Sequence, residues 1–382
     1  MINQQRLIDF SREIIQVRSL SGEEQPVVAK ITSEMVALGF DEILVDENGS
    51  AVGVVVGQKP GKTLLLDGHC DIVDARPSDW RLNPFAATIE DGYLYGRGAA
   101  DMKGALAAMV HAAASADRSR LAGRIAVSAT VVEEVMEGFS LKQVMDRIKP
   151  DAVIIGEATQ FTLNRGGRGR AEIVLETIGK SAHSSSPQAG LCAVHEMMRL
   201  IQVVENAPML SNPVVGKAQV CLTDIVSTPF PGHSVVPNCC RVSYDRRLVP
   251  GETPQSVLDG IRNLPGTQDI QYTLDILDGE EKTYTGKMLK GLKFFPAWAL
   301  SEDHPLVTVA QEGLRASGFD AMLGAYAFCT NGAYSAGIAG VPTIGFGPGS
   351  ETDAHTVNER MAVNDIQRAA EGYLGMIYAI LS

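Results

Sequence analysis

The sequence lacks the features that mark membrane and secreted proteins. It contains no apolar run long enough to cross a bilayer, so we expect no membrane partner. Its first residues, MINQQRLIDFSREI, have the pattern of an amphipathic helix. They lack the apolar core and small-residue cleavage site of a secretory signal. These absences predict a cytoplasmic protein.

Cysteine and basic residues are also scarce. The six cysteines form no CxxC pair, and Cys239 and Cys240 are adjacent, which suits a disulfide framework poorly. We therefore expect reduced thiols. The 33 basic and 45 acidic residues give a net charge of −12, and the absence of a basic stripe argues against a nucleic-acid partner. An anionic substrate stays compatible, because local cations or metals can override the overall sign.

The 382 residues suit two domains, and the predicted elements divide them. Through residue 166, buried strands such as 63–66 and 125–132 alternate with helices such as 102–114, which predicts an α/β fold with a mostly parallel sheet between helices. From 167 to 297, segments 170–178 and 240–249 alternate apolar and polar residues, as half-exposed antiparallel strands do. The α/β character then returns. We predict one α/β domain in two segments, 1–166 and 298–382, interrupted by an α+β domain at 167–297.

The start of the second predicted helix has a local signal of its own. Ser21 is a suitable N-cap, and Glu24 three residues later completes a capping box. Apolar residues then recur at helical spacing from 27 to 35, and Gly39 ends the pattern. The sequence therefore predicts a capping role for Ser21 and Glu24.

Potential metal ligands follow several of the predicted strands. His69 and Asp71 come after the strand at 63–66, and Glu133 and Glu134 come after the strand at 125–132. Glu157 follows the apolar residues 153–155 in the same way. Ligands bind beyond the carboxyl ends of strands in open α/β sheets, and imidazole and carboxylate groups suit zinc.

Two further candidates lie in glycine-rich segments. Asp101 is in GRGAADMKG at 96–104, and His355 follows GFGPG and another predicted strand. Glycines permit a close backbone approach, which a carboxylate that bridges two metals requires. Taken singly, HxD is typical of a surface turn, Glu-Glu of a solvated face, and GRGxxD resembles a phosphate loop without its spacing. Because five such positions occur together, the sequence predicts a metal site.

These motifs are also where a family resemblance appears. The ordered set HCD, GRGAADMKG, EE and GEAT, with a late histidine after GFGPG, resembles the M20 metallopeptidases. That family contains aminoacylases, acetylornithine deacetylases, succinyl-diaminopimelate desuccinylases and carboxypeptidase G2-like enzymes. The resemblance covers nearly the whole chain. The segments YDRRLVPGET, FFPAW and CTNG are similar to the YgeY-like branch of selenium-metabolism-linked hydrolases.

The resemblance implies a centre of two zinc ions, with cobalt or manganese as alternatives. One ion would be held by His69, Asp101 and Glu157, and the second by Asp101, Glu134 and His355, so that Asp101 bridges them. Asp71 would orient His69, and Glu133 would be the general base. Cys70 would point away from the metals. The resemblance also implies a cis peptide bond between Asp101 and Met102.

The inserted domain would be the family's lid and dimerisation domain, which implies a homodimer. His183 matches a lid histidine that reaches a neighbouring subunit's active site and stabilises the oxyanion. Arg247 matches an arginine that binds the substrate carboxylate. Asn238 is a candidate for the same pocket, and the backbone at Asn331 and Gly349 is expected to shape it. Without the resemblance, His183 would be a surface residue and Arg247 part of a salt bridge on a sheet face.

The implied function is hydrolysis of an amide next to a carboxylate, which releases an acyl group from an N-acyl amino acid. A dipeptidase or carboxypeptidase of the same mechanism is the alternative. A non-catalytic, ligand-binding paralogue should have lost a ligand or the base, whereas this sequence keeps every candidate. A two-metal phosphate-ester hydrolase would need further basic residues near the motifs.

Overall fold

The computed structural model describes residues 1–320 and 322–382, and this part of the chain forms two compact units. The first comprises residues 1–167, 280–289 and 298–382, and the second comprises 168–279 and 290–297. The sequence predicted a single insertion at 167–297, whereas residues 280–289 belong to the first unit. Two contacts explain this return: the Tyr284 hydroxyl donates to the Gly49 carbonyl at 2.9 Å, and Lys287 Nζ lies 2.6 Å from Glu47 Oε2.

The described residues contain eight α-helices and 21 strands. The helices are α1 Gln4–Ile15, α2 Gln25–Leu38, α3 Gly104–Ala114, α4 Phe139–Ile148, α5 Ala193–Glu205, α6 Pro254–Arg262, α7 Pro305–Ala316 and α8 Val363–Ile380. The strands are β1 Glu42–Val45, β2 Ala51–Val56, β3 Lys59–His69, β4 Thr88–Glu90, β5 Tyr93–Tyr95, β6 Ala122–Thr130, β7 Ala152–Ile155, β8 Leu163–Gly167, β9 Gly169–Ile178, β10 Ser211–Asn212, β11 Gly216–Lys217, β12 Gln219–Thr228, β13 Cys239–Leu248, β14 Tyr272–Ile276, β15 Asp278–Lys282, β16 Met288–Leu292, β17 Phe294–Phe295, β18 Trp298–Ala299, β19 Leu323–Tyr326, β20 Thr343–Gly345 and β21 Arg360–Ala362. None of the described helices combines the length and the apolar character that spanning a bilayer requires.

The first unit is built on a nine-stranded sheet. Its main strand order is β1-β2-β6-β3-β7-β20-β8-β18, and β19 pairs with β8. The central strands β6, β3, β7 and β20 run parallel to their neighbours in this series, and antiparallel pairs occur towards the two edges. The predicted mostly parallel α/β sheet is confirmed.

Helices cover both faces of this sheet, as its apolar central strands require. One face packs against α1, α2, α3, α7 and α8, and the other packs against α4. Leu64, Leu65 and Leu66 of β3 are all fully buried, because consecutive side chains of a strand point to opposite faces and both faces are covered. The strand is thereby held firmly where it ends at His69.

The parallel pairing brings the carboxyl ends of β3, β6 and β7 to the same end of the sheet. His69 at the end of β3 is opposite Thr130 at the end of β6, and Asp67 is opposite Ile155 at the end of β7. The segments that follow these three strands therefore leave the sheet side by side. This register places the predicted metal ligands of three separate segments next to one another.

The second unit is an antiparallel sheet with helices on one face. Its main strand order is β12-β13-β9-β14, and β17 also pairs with β9. Residues of β9 alternate between buried and partly exposed, because only one face is covered. Residues of α5 and α6 share the apolar core with that covered face. This unit has the predicted α+β character.

Candidate metal centre

The turn after β3 orients the ring of His69. Its Nδ1 lies 3.0 Å from the backbone carbonyl of Asp71 and 3.5 Å from Oδ1 of the Asp71 carboxylate. An Nδ1–H that donates to this carbonyl leaves the Nε2 lone pair facing the cluster of carboxylates, which is the usual arrangement for a metal-binding histidine. The nearer orienting contact is thus the backbone of Asp71.

The carboxylate of Asp71 contacts the two glutamates beyond β6. Its Oδ1 accepts from the backbone N–H of Glu133 at 3.2 Å, and its Oδ2 accepts from the backbone N–H of Glu134 at 3.1 Å. The hydroxyl of Ser21 donates to Oδ2 at 2.7 Å. Asp71 is fully buried and joins the ends of β3 and β6. Its carboxylate therefore fixes the backbone from which both glutamates project.

Cys70 lies between these two polar residues but points into the interior. Its side chain is fully buried, and Sγ donates to the carbonyl of Thr130 at 3.3 Å. Burial raises the pKa of the thiol well above its ordinary value, so the thiol stays protonated. The orientation agrees with the sequence-based prediction for Cys70.

Asp101 lies between two histidines from distant parts of the chain. Its Oδ1 is 3.0 Å from His69 Nε2, and its Oδ2 is 3.0 Å from His355 Nε2. The peptide bond from Asp101 to Met102 is cis, as predicted. Each carboxylate oxygen therefore faces a different imidazole, which is the arrangement a bridging ligand needs.

Three glutamates complete the cluster. Glu157 Oε1 lies 3.4 Å from His69 Nε2, Glu134 Oε2 lies 3.1 Å from His355 Nε2, and Glu133 Oε2 lies 4.0 Å from His69 Nε2. Two overlapping groups have donor atoms close enough to hold a metal ion: His69, Glu133 and Glu157, and His69, Asp101 and Glu134. The five predicted ligands and the predicted base Glu133 thus lie together.

The cluster holds more negative charge than the described side chains neutralise. Glu133 Oε1, Glu134 Oε1 and Glu157 Oε2 are buried and accept no hydrogen bond from the described residues. Burial raises the pKa of all three glutamates, that of Glu157 to about 7, and neighbouring carboxylates add to each shift. Unpaired buried carboxylates are costly unless a cation binds them. The donor set therefore fits metal ions.

The pKa of His355 is raised as well, but by hydrogen bonds rather than by burial. Hydrogen bonds to Asp101 and Glu134 raise the pKa of His355 to about 10. Burial alone would raise the pKa of Asp101, yet the hydrogen bonds from His355 and His69 hold it well below its ordinary value. The two imidazoles are thus held in their protonated, cationic form by the carboxylates around them. A metal ion at the centre would displace their protons, because metal ligation needs neutral imidazole.

Known proteins share both the sequence pattern and the fold. Residues 65–379 match the model of peptidase family M20/M25/M40. The chain is 33% identical to the uncharacterized protein YgeY of Escherichia coli K12, over 92% of this chain and 88% of that protein. The chain belongs to this peptidase family. The acetylornithine deacetylase of Vibrio vulnificus is 28% identical, over 94% of each chain.

Solved structures of M20 peptidases have the same fold. The aminopeptidase PepT of Bacillus cereus superposes with a TM-score of 0.78 at 19% identity and covers 99% of both chains. YXEP of Bacillus subtilis, described as a dinuclear metal-binding peptidase of the M20 family, gives a TM-score of 0.74 at 16% identity, over 99% of this chain and 98% of that one. As an M20 member, the chain is an amide-bond hydrolase.

Three further residues that the M20 resemblance singled out belong to the second unit. His183 is exposed, and its Nδ1 is 2.8 Å from Ser185 Oγ. Arg247 on β13 forms an ion pair with Asp245, at 2.8 Å from Nε to Oδ1. Asn238 is exposed, and its backbone N–H donates to the carbonyl of Thr228. The catalytic and substrate-binding roles of His183, Arg247 and Asn238 stay predictions.

Asn331 is in the first unit and is buried. Its Nδ2 donates to Asp67 Oδ2 and to Thr130 Oγ1, both at 2.9 Å, and its Oδ1 accepts from the N–H of Gly138 at 2.6 Å. Both amide hydrogens are therefore used inside the protein. The Asn331 side chain joins the ends of β3 and β6 to the loop before α4, so any contact with substrate would come from its backbone.

Gly349 packs against the loop that carries Asp101. A Cβ atom at this position would lie 2.8 Å from the carbonyl oxygen of Ala100, closer than such contacts allow. The carbonyl of Gly349 accepts from the N–H of Gln160. Gly349 thus permits a close approach of two loops in the M20 fold, and its role in shaping the pocket stays a prediction.

The predicted capping box at Ser21 and Glu24 is wrong. Helix α2 begins at Gln25 with Glu24 as its N-cap residue, and the Glu24 side chain makes no capping hydrogen bond. Glu24 Oε1 instead accepts from the N–H groups of Gly22 and Val132, and the Ser21 hydroxyl donates to Asp71. Ser21 thus supports the Asp71 carboxylate, and Glu24 supports the backbone just after β6. The spacing of Ser21 and Glu24 in the sequence is the same whether the two side chains cap a helix or contact distant residues, so it could not distinguish the two cases.

Sequence reasoning also missed Glu359, a fully buried residue four positions after His355. Its carboxylate contacts the GRGAAD loop and Arg97. The available signal was the position of this acidic residue close to a predicted metal ligand, His355. Because an isolated glutamate after a polar turn is usually solvated, spacing alone did not distinguish it.

Proposed function

We propose that this M20 protein is a dinuclear metal-dependent deacylase that releases an acyl group from an N-acyl amino acid. The observation that carries the proposal is the position of Asp101, whose two carboxylate oxygens each lie 3.0 Å from a different histidine Nε2. A carboxylate in this arrangement can bind two metal ions at once. His69 with Glu157 would complete one site, and His355 with Glu134 would complete the other.

Zinc is the metal we propose, because imidazole and carboxylate donors without thiolates are typical of catalytic zinc sites. Cobalt or manganese would fit the same donors. When bound, two such ions supply Lewis-acid polarisation of the scissile carbonyl and acidify the attacking water. Three buried carboxylate oxygens of this cluster accept no hydrogen bond from the described residues, and such ions would compensate their charge.

Glu133 is the general base in this proposal. Its carboxylate is buried at the centre of the cluster, and burial together with the charges of Glu157, Glu137 and Glu134 raises its pKa well above the ordinary value. Both effects favour acceptance of a proton. Glu133 would take a proton from the attacking water as the water oxygen bonds to the carbonyl carbon. It would then give the proton to the amine nitrogen as the C–N bond breaks.

The proposed substrate class combines two lines of support. The 28% identity to an acetylornithine deacetylase extends over 94% of each chain. Arg247 offers a guanidinium for the substrate carboxylate, and this guanidinium now pairs with Asp245, which a substrate carboxylate would have to displace. We further propose that His183 stabilises the oxyanion from a partner subunit in a homodimer, and that the protein works in the cytoplasm.

A substrate panel tests the proposal and separates it from the peptidase alternative. Zinc-loaded protein would be assayed with N-acetyl and N-succinyl amino acids, and with dipeptides that carry the same C-terminal residues. We expect higher kcat/KM for the N-acyl amino acids. Faster cleavage of the dipeptides would favour a dipeptidase or carboxypeptidase, and no hydrolysis of either class would refute amide hydrolysis at this centre.

A further inference from the structure

Glu359 holds the loop that carries Asp101 through the backbone of that loop. Its Oε1 accepts from the N–H groups of Ala100 at 2.8 Å and of Gly98 and Asp101 at 3.1 Å each. The side chain is fully buried, so these hydrogen bonds do not compete with water. Three backbone amides of one short loop thus converge on a single carboxylate oxygen.

The geometry of the loop makes this convergence possible. Gly98 has φ +88°, in the left-handed region, and a Cβ atom there would lie 2.9 Å from Ile72 Cγ2. Asp101 itself departs from helical dihedrals, with φ −129° and ψ 97°. The loop therefore cannot satisfy these amides within a regular helical turn. The carboxylate of Glu359 takes the place of the missing intrahelical acceptors.

Arg97 connects the same carboxylate to the segment of His355. Its Nη1 lies 2.6 Å from Glu359 Oε2, and its Nη2 donates to the carbonyl of His355 at 3.4 Å. The Arg97 side chain is buried and lies over the ring of Trp80. The Arg97–Glu359 ion pair therefore contacts both the segment that carries His355 and the loop that carries Asp101.

We propose that Glu359 is a positioning residue for the metal centre, and that it sets where the Asp101 carboxylate lies relative to His355. The inference rests on the proposed function, because it assumes that Asp101 bridges two metals. The clamp, meaning the Glu359 carboxylate with the N–H groups of Gly98, Ala100 and Asp101, involves none of the proposed metal-ligating atoms. Groups that orient metal ligands affect metal affinity by roughly 10- to 100-fold.

Two variants test the clamp. Glu359→Gln keeps the size of the side chain but replaces one acceptor oxygen with an NH₂ group, which cannot accept hydrogen bonds. Glu359→Asp keeps the charge for Arg97 but withdraws the oxygens by one methylene, so it remains informative if the glutamine variant does not fold. The matched control is Glu252→Gln in the second unit. Glu252 is also buried, lies 2.7 Å from Arg246 Nη2 and accepts from the N–H of Val249.

Two measurements would be made on each full-length variant. Calorimetric titration with zinc should show roughly 10- to 100-fold weaker binding for the Glu359 variants and unchanged binding for Glu252→Gln. In metal-free protein, backbone amide hydrogen exchange at residues 98–101 should be faster than in the wild type by on the order of tenfold in the Glu359 variants. It should be unchanged in Glu252→Gln.

The outcomes separate this inference from the proposed function. Wild-type zinc affinity and exchange in a folded Glu359 variant would overturn the positioning role. So would an equal loss of affinity in Glu252→Gln, because the effect would then follow from general destabilisation. If the wild-type protein bound no zinc, the proposed function would fail, while exchange at 98–101 would still decide whether the clamp holds the loop.

Discussion

Replacing Glu133 with glutamine should affect catalysis and stability in opposite directions. Glu133 is 6% exposed, and its Oε1 accepts no hydrogen bond from the described residues. Burial, together with the carboxylates of Glu157, Glu137 and Glu134, raises its pKa. Glutamine keeps the shape of the side chain and removes its charge. The substitution therefore isolates the proton-transfer role of Glu133 from its effect on packing.

The catalytic effect follows from the role of a general base. A positioned base contributes about 10²- to 10⁴-fold to the rate, or about 3–5 kcal/mol of barrier. We expect kcat to fall by that factor in zinc-loaded Glu133→Gln. Zinc stoichiometry should stay unchanged, because Glu133 is not among the proposed ligands.

The stability effect follows from the raised pKa of Glu133. Folded protein binds this proton more tightly than unfolded protein does, so the stabilisation is complete below the ordinary glutamate pKa. It is lost as the pH rises through the folded-state pKa. The metal-free wild type has therefore lost more of this stabilisation at pH 8 than at pH 5, whereas a neutral glutamine has none to lose. We expect the variant to be more stable by about 1–3 kcal/mol, or about 2–6 °C in Tm, and the gain to shrink at pH 5.

The assay combines turnover of zinc-loaded protein with calorimetric melting of chelator-treated protein at pH 5 and pH 8. Glu302→Gln is the control, because Glu302 is an exposed glutamate of the same unit, and neither quantity should change. Retention of more than about a tenth of kcat, against the hundredfold loss expected for a base, would place the base elsewhere. A lower Tm at pH 8 would refute the electrostatic reasoning.

Three further substitutions test neighbouring parts of the structure. Burial and the charge of Asp71 raise the pKa of Glu24 to about 7, so its contribution to stability is complete below pH 4.5 and lost as the pH reaches about 7. In urea titrations, the free energy of unfolding of Glu24→Gln relative to that of the wild type should therefore rise by about 2–3 kcal/mol from pH 5 to pH 8. The same difference between the two proteins at both pH values would contradict this. Asn331→Ala removes the donor to buried Asp67 and should lower the free energy of unfolding by about 2–4 kcal/mol, whereas unchanged denaturant midpoints would show that the network adds nothing. His355→Ala should reduce bound zinc from two ions to one per chain by elemental analysis, and retention of two would remove His355 from the site.

The strand ends could be predicted from sequence because burial leaves a strong local signal. Apolar runs such as 63–66 and 125–132 end where charged residues begin, and parallel pairing brings such ends to one edge. His69, Glu133, Glu134 and Glu157 followed from that rule. The structure confirms their proximity, and their individual roles depend on the proposed metal centre.

The supporting contacts could not be predicted, because they join residues far apart in sequence. Arg97 and Glu359 are 262 positions apart, and Val132 and Glu24 are 108 apart. Each pair depends on a completed fold, so no local spacing records it. The capping box at Ser21 shows the opposite problem, since a local rule fitted two residues whose side chains contact Asp71 and Val132 instead. The return of residues 280–289 to the first unit likewise depends on contacts with Glu47 and Gly49.

The central claim is that two metal ions at Asp101 are required for amide hydrolysis. Chelator-treated protein would be titrated with zinc while bound metal and turnover of an N-acetyl amino acid are measured together. The proposed mechanism predicts no turnover without metal and full turnover as binding reaches two ions per chain. Equal activity of the metal-free and zinc-loaded protein, or full activity without any zinc bound near Asp101, would contradict it.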